Sequence, residues 1–444
     1  MRAVKRLRWV ALATAVGVVV ALTAGTASGQ SSANEAPKAT EVGVSANQIR
    51  IAVIADVNTP LAPGLFKGSA DAVQAFGKYI NKKGGIAKRQ VQVDFIDSKL
   101  SPDETRNAII QACQNDFAIV GTTALFLNNV DDMIACKDLK GQATGLPDIP
   151  ELTTDVSQQR SPVSFPIIAP TRDWAHPTPE VYNERVGQVY WFKKNVTKDL
   201  HGVFLIPGDL KSTQITTISG WKAMQKIGVG NDGEYTISGR DPQDKYLPYV
   251  QTLKSKNSTF ARSGSNDVSM AYFRKEAQTQ GVTSVKVWDC SLACYSQRFI
   301  DTAGAAGEGQ YLETFFVPFE EASKSPPVKA YLSSVGKANA DGFGAQAWIA
   351  ALFFQDVVNK IVKAQGVNGL TRANFLATAK AEHNFTAQGM IGPTDIGGKV
   401  PGGCFDLLQL KGGKWVRVYP KKATTFDCNK RNIQPVQFDS SSIG

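Results

Sequence analysis

The sequence predicts an α/β protein made of two doubly wound lobes, and two observations carry that expectation. Segments with strand character alternate with amphipathic helices along most of the chain. Repeated strand–helix–strand units build parallel sheets covered by helices on both faces. The strands are also too many for one comfortable sheet, so they divide between two lobes. Of 444 residues, 43% are hydrophobic and 20% charged, which suits ordinary buried cores and not a disordered chain.

Order is expected from Gln48. Ile49, Ile51 and Val53 alternate with Arg50 and Ala52 before the run closes at Ile54-Ala55, the period-two pattern of a strand. Ala70 to Ile80 carries Ala72, Val73, Phe76 and Ile80 at helical spacing, and Gly84-Gly85 stops it. Val91, Val93 and Phe95 make the next strand, ending at Asp97. Ser101-Pro102-Asp103-Glu104 opens a helix, with Ser101 as N-cap and Pro102 at the first position. Phe117 to Gly121 reads as a short buried strand, and a helix is expected around Asn129–Lys137. In the central part, strands at Val203–Ile206, Glu234–Ser238 and Val285–Trp288 alternate with helices at Gln214–Ile227, Tyr246–Lys256 and Ser269–Gly281, with a further segment around Phe260–Ser265. Ala345 to Val362 is the most apolar helix after the N-terminal run. Gln355, Asp356 and Lys360 interrupt it, so it reads as a core helix and not a membrane span. Cys404–Leu410 and Trp415–Tyr419 form a hairpin through Lys411-Gly412-Gly413-Lys414.

The N-terminus sets the compartment. Arg2, Lys5, Arg6 and Arg8 precede an apolar run from Trp9 to Leu22, and small residues follow to Gly29. These are the three parts of a secretory signal peptide, with cleavage expected after Gly29 or Ala27. An uncleaved anchor is the alternative, but the run is short for a bilayer core of about 30 Å. No cysteine sits in the exit segment, so no lipid anchor is expected. Residues 30–46, rich in Ser, Ala, Glu and Lys, read as a flexible leader. The formal charge is +10, four units of which belong to the signal, and no Lys/Arg block marks a nucleic-acid partner.

Six cysteines in an exported chain suggest disulfides. Fifteen connectivities exist. The cysteines fall into three sequential pairs, and the expected pairing is Cys113–Cys136, Cys290–Cys294 and Cys404–Cys428. A metal or redox site is the weaker reading, because no C-x-x-C occurs and His176, His201 and His383 lie far apart. No phosphate loop, nucleophile elbow or zinc-protease motif occurs. Asp56 and Asp97 end strands, where Asp forms a turn more often than it acts as an acid, by about four to one. No catalytic residue, metal or cofactor is therefore expected. Instead, polar residues gather where strands end: Gly121-Thr122-Thr123, Ser263 to Asp267, and Asp289. In open α/β sheets ligands bind in the crevice beyond those ends.

Several stretches together resemble the substrate-binding proteins of branched-chain amino acid ABC transporters, the type I periplasmic-binding fold. Ile49-Arg50-Ile51-Ala52-Val53-Ile54 resembles the family's first strand, and Asn81-Lys82-Lys83-Gly84-Gly85-Ile86 its N-x-x-G-G-I helix end. Val91 to Ser98 followed by Ser101-Pro102 resembles its strand ending in D-S and the helix start after it. Ala118-Ile119-Val120-Gly121, Gly145-Leu146-Pro147, Gly392-Pro393 and Lys411-Gly412-Gly413-Lys414-Trp415 follow in the family's order. The resemblance covers about Ile49 to Tyr419.

It implies two lobes joined by three crossovers, near Phe165–Pro179, Thr314–Phe319 and Gly389–Thr394. Lobe 1 would comprise residues 47–168 plus 318–389 and lobe 2 residues 169–317 plus 390–425, with 426–444 as a tail. A ligand would sit in the cleft and close the lobes by hinge bending. The implied ligand residues are Thr122 and Thr123 in the first binding loop, with Leu125 as the alternative occupant of the family's position. Thr153 and Thr154 follow in the second loop, then Asn266 or Asp267 near the family's aromatic position, and Asp289 near its amine-holding acid. The implied function is capture of a small polar organic molecule, an amino acid or related amide or organic acid, by a monomeric extracytoplasmic protein that delivers it to an ABC permease. An exported sensing domain is the alternative, and an extracytoplasmic hydrolase the third reading.

Overall fold

The computed structural model describes residues 35–59 and 63–443. The expected signal peptide lies outside the described residues.

The first sheet holds β1 (Gln48–Ala55), β2 (Gln90–Asp97), β3 (Ala118–Thr122) and β4 (Asp148–Pro150), all parallel, in the order β2-β1-β3-β4. The helix expected at 345–362 runs from Gly342 to Gln365 and packs against it. Asp341 caps this helix by accepting from the Gly344 N–H at 2.6 Å, and Gly366 ends it at φ +77°. Its Trp348 is fully buried against the rings of Phe76, Tyr79 and Tyr331. Ala347 lets the helix come close to the sheet, while Gly344 lets it come close to Gly68 of the Lys67–Lys82 helix. At β3, Gly121 has φ +73°, and a Cβ there would lie 2.7 Å from Val73 Cγ2 and 3.1 Å from Ala347 Cβ. Only glycine meets both demands.

The second sheet holds β6 (His201–Pro207), β7 (Gly230–Ile237), β8 (Phe260–Ser263), β9 (Val287–Cys290) and β10 (Tyr311–Thr314), mutually parallel. The antiparallel hairpin β11 (Asp406–Lys411) and β12 (Lys414–Tyr419) extends it, giving the order β12-β11-β10-β9-β8-β6-β7. Gly412 and Gly413 turn the hairpin at φ +56° and +71°, as a two-residue primed turn requires. The chain thus passes between the sheets three times: after β4, after β10 and before β11.

All three cysteine pairs formed are the sequential ones, Cys113–Cys136, Cys290–Cys294 and Cys404–Cys428. The helix expected around Asn129–Lys137 shrinks to one turn, Asp131–Ile134. Cys136 is tied to the preceding helix, and Lys137 then pairs with Ala143, which turns the chain away from the helical path. Helices at Gly187–Asn195, Pro326–Val335 and Arg372–Lys380 were not marked by apolar periodicity. The segment after Cys428 forms β13 (Ile433–Gln437), antiparallel to β5 (Val181–Arg185) in the first crossover.

The leader also departs from expectation where it is described. Arg89 is 1% exposed and donates to Lys38 O (2.9 Å), Ser45 O (2.7 Å), Ala87 O (3.0 Å) and Val367 O (2.9 Å). Thr40 Oγ1 donates to Leu370 O, and Asn368 exchanges hydrogen bonds with Lys38 and Ala36. A buried guanidinium must fill its donors, and here leader carbonyls fill two of them. Arg89→Met is therefore expected to cost about 3 kcal/mol of stability. It should also expose Lys38 to trypsin, and limited proteolysis with mass spectrometry would detect the new cut.

Candidate functional site

Each sheet has one place where the strand order reverses: between β1 and β3 in the first, and between β6 and β8 in the second. Loops leaving those strand ends diverge and open a crevice. Asp56, directly after β1, organises the first set. It accepts from Ser98 Oγ (2.6 Å), Leu100 N (2.7 Å) and Leu125 N (2.8 Å). Asp97 likewise accepts from Val57 N, Asn58 N and Lys99 N. Both acids are turn formers, as their strand-end positions suggested.

The two crevices face each other and enclose a cavity of about 310 Å³. Leu65, Phe66, Leu125, Leu152 and Phe343 line it from the first lobe, and Leu210 and Leu292 from the second. Ile168, in the first crossover, also lines it. Nine polar side chains also line it, Thr154, Asp209, Ser265, Asn266 and Gln346 among them, but most of the exposed wall is apolar. A second chamber of about 290 Å³ adjoins it on the crossover side and shares Ile168, Thr217, Leu292 and Gln346 with it. It is the more charged of the two. Glu184 and Arg185 enter from β5, Arg262 from β8, and Glu313 and Thr314 from β10.

The charges of this polar chamber are unevenly paired. Arg262 is ion-paired through Nη1 with Asp289. Glu184 accepts from Thr171 Oγ1 and Ser219 Oγ, both at 2.7 Å. Burial pushes the Glu184 carboxyl up, against the pull of those hydroxyls. Arg185 makes one hydrogen bond, from Nε to Gly402 O at 3.2 Å. Burial pushes Glu313 up to about 7, with Arg262 and Arg185 opposing and Asp289 reinforcing. A third cavity of about 370 Å³ at the rim is lined by Lys67, Asp71, Asp267, Arg298 and Asp341.

The residues expected from sequence are distributed as follows. Thr154 and Asn266 line the apolar chamber, where Ser212 Oγ reaches across from the second lobe to Thr154 Oγ1 at 3.4 Å. Asn266 also caps the Asp267–Thr279 helix, accepting from Ser269 N at 2.8 Å. Asp267 lines the rim cavity, but its carboxylate is held by Arg298 at 2.6 and 2.7 Å. Thr122 is buried and donates to Asp148 Oδ1 at 2.6 Å; Thr123 is buried and donates to Gly121 O. Thr153 is nearly buried, with its carbonyl facing Gln159 Nε2. Asp289 lies fully buried behind Arg262. Arg185 and Glu313 were not picked out. Glu313 does carry a signal, as the lone charge in Tyr311-Leu312-Glu313-Thr314-Phe315-Phe316-Val317 at an expected crossover. Among the described residues, no group of three or more His, Cys, Asp or Glu side chains is placed to hold a metal ion. Nor is any helix there long and apolar enough to cross a membrane.

Two α/β lobes, three crossovers and a cleft between switch points define a two-lobed ligand-binding protein. The family model for periplasmic binding proteins matches residues 48–414, and the chain belongs to that family. Its fold is similar to a fatty acid ABC transporter substrate-binding protein from Thermomonospora curvata, at 16% identity and TM-score 0.65, covering 90% of this chain and 95% of that one. It is also similar to the branched-chain amino acid transporter substrate-binding protein of Streptococcus pneumoniae, solved with isoleucine, at 16% identity and TM-score 0.62, covering 84% and 100%. A leucine-binding protein of Thermotoga maritima matches at 15% identity and TM-score 0.59, covering 83% and 97%. A search among curated protein sequences returns no match.

Glu313 gives the cleft a pH signature. A carboxyl raised from 4.5 to about 7 on folding favours the folded state fully below its unfolded value, and that contribution is lost as pH climbs through about 7. Wild-type protein should therefore lose stability between pH 5 and pH 8 relative to Glu313→Gln. Melting temperatures of both proteins across that range, without ligand, would show the difference.

Proposed function

We propose that this protein is an extracytoplasmic solute-binding protein that captures a small organic ligand in the interlobe cleft and delivers it to an ABC importer. The ligand class is an amino acid or a related amide or organic acid, and its distinguishing property is a substantial apolar body. The observation that carries this refinement is the leucine- and phenylalanine-walled chamber between the switch points. Burying an apolar chain there gains about 25 cal/mol per Å². A ligand that is polar throughout would leave those walls without partners. The similar proteins named above are described with fatty acid, isoleucine and leucine, each of which joins an apolar body to a carboxylate.

We take the lobes to be residues 47–168 with 318–389 and residues 169–317 with 390–425, hinged at the crossovers. Thr154 and Asn266 then act as polar wall contacts, one from each lobe. Disulfides and the expected signal support a site of action outside the cytoplasm, where we take the protein to act as a monomer that binds without catalysis.

A thermal-shift and calorimetric panel tests this reading. Ligands with an apolar body, such as leucine, phenylalanine and octanoate, are expected to include binders, while glycine and glucose give no shift. Leu210→Asp should weaken the best binder by at least about tenfold, the cost of a charge in an apolar wall. Absence of any shift from folded protein, or unchanged affinity in that variant, would overturn it.

A further inference from the structure

We infer that the crossover-side chamber is a carboxylate-binding subsite in which Arg185 grips the ligand anion with its two terminal nitrogens and Glu313 faces the same head group. The inference rests on the amphipathic ligand proposed above and assigns its head group.

The argument starts from what the other arginines do. Arg89 and Arg372 are buried and fill their donors with carbonyls; Arg372 reaches Phe117 O, Lys137 O, Cys113 O and Asp116 O. Arg417 holds Glu321 and Asp406. Arg262 holds Asp289, and Arg298 holds Asp267. Arg185 lines the cleft yet makes only its Nε bond to Gly402. Its terminal fork points to no carboxylate within ion-pair reach among the described residues. Such a fork matches a carboxylate in two parallel hydrogen bonds. Glu313 lines the same chamber with neither a hydrogen bond nor an ion pair, and the two side chains sense each other's charge.

The pairing decides the sign of the ligand. An ammonium would satisfy Glu313 but leave the Arg185 fork empty beside a second positive charge. A carboxylate fills the fork, and Glu313 completes the set when it carries its proton. The charged groups around Glu313 are Glu184 and Arg185 from β5, Arg262 from β8, Asp289 from β9 and Asp406 from β11, and Glu184 is held by the Thr171 and Ser219 hydroxyls. The Arg262–Asp289 pair is already neutral, so the arriving anion acts chiefly on Arg185 and Glu313. Glu313 is half protonated near neutrality in the empty cleft, and an anion beside it draws the second half in. Carboxylate binding therefore takes up a proton, and the anion is held as though it were the neutral acid. The apolar tail lies in the adjoining leucine-lined chamber, continuous through Ile168 and Leu292.

The test uses one chain length with different heads: octanoate, octylamine, 2-aminooctanoate and octan-1-ol, titrated calorimetrically into the mature protein. Octanoate is expected to bind tightest. Its heat in phosphate and Tris at pH 7.5 should differ in the sense of proton uptake, and its affinity should fall by up to about tenfold per pH unit above neutrality. Arg185→Gln should lose at least about tenfold for octanoate and little for octanol. Glu313→Gln, a permanent neutral donor, should keep octanoate binding and lose its pH dependence. Unfolding curves check that each variant folds. Tighter binding of octylamine than of octanoate, 2-aminooctanoate binding that Arg185→Gln leaves unchanged, proton release, or an unaltered pH profile in Glu313→Gln would overturn the head-group assignment alone. Failure of all four compounds would overturn the amphipathic reading with it.

Discussion

Everything in the cleft depends on one constraint: three segments must pass from one sheet to the other at the same place, with their backbone groups satisfied. A buried peptide N–H or carbonyl without a partner costs as much as a lost hydrogen bond. Here the crossovers satisfy each other. Phe316 pairs with Ile391 across the second and third passages, and Phe405 pairs with Asp427 beyond them. Cys404–Cys428 fastens the third passage to the C-terminal segment, whose β13 pairs with β5 of the first. At Gly392 even a Cβ would lie 2.7 Å from Cys404 Sγ, so packing there is at its limit. Arg185 ties the first passage to the third through Gly402.

This arrangement explains the division of the cleft. The strand-end loops carry leucine, phenylalanine and small polar residues, and they make an apolar chamber. The crossover side brings charges, because Glu184, Arg185 and Glu313 stand on or beside the passages themselves. Charges are costly to bury, and three of them, Asp289 with Arg262 and Glu184 with two hydroxyls, are internally matched. Arg185 and Glu313 are the pair left facing the cavity. In the hinge bending proposed above, a ligand that engages them would touch the crossovers themselves, so head-group binding and lobe closure would share the same residues.

The alternation of strands and helices was legible because each element carries its own period, two for strands such as Ile49–Val53 and 3.6 for helices such as Ala70–Ile80. Cap chemistry was legible too: Ser101 accepts from Glu104 N as its position suggested. The disulfides join the cysteines in sequential pairs as expected, although spacing did not by itself choose among the fifteen connectivities. What escaped depends on residues distant in sequence. The docking of residues 36–45 rests on Arg89, and the pairing of β13 with β5 joins positions some 250 apart, which no local pattern records. The expected ligand residues Thr122, Thr123 and Asp289 sit at strand ends as inferred, but their side chains are spent on Asp148, Gly121 and Arg262. A strand-end position tells that a residue is near the crevice; which way it faces is set by packing. Arg185 lies in the first crossover, in a stretch without apolar period, and nothing nearby marks it.

The central claim is that the ligand lies between the two switch points with its apolar part in the leucine-lined chamber. A crystal structure of the protein grown with octanoate tests it directly. The account requires chain density running along Phe66, Leu210 and Leu292, with the carboxylate at hydrogen-bond distance from Arg185. Octanoate seated instead in the rim cavity beside Lys67 and Arg298, or outside the cleft, would contradict it.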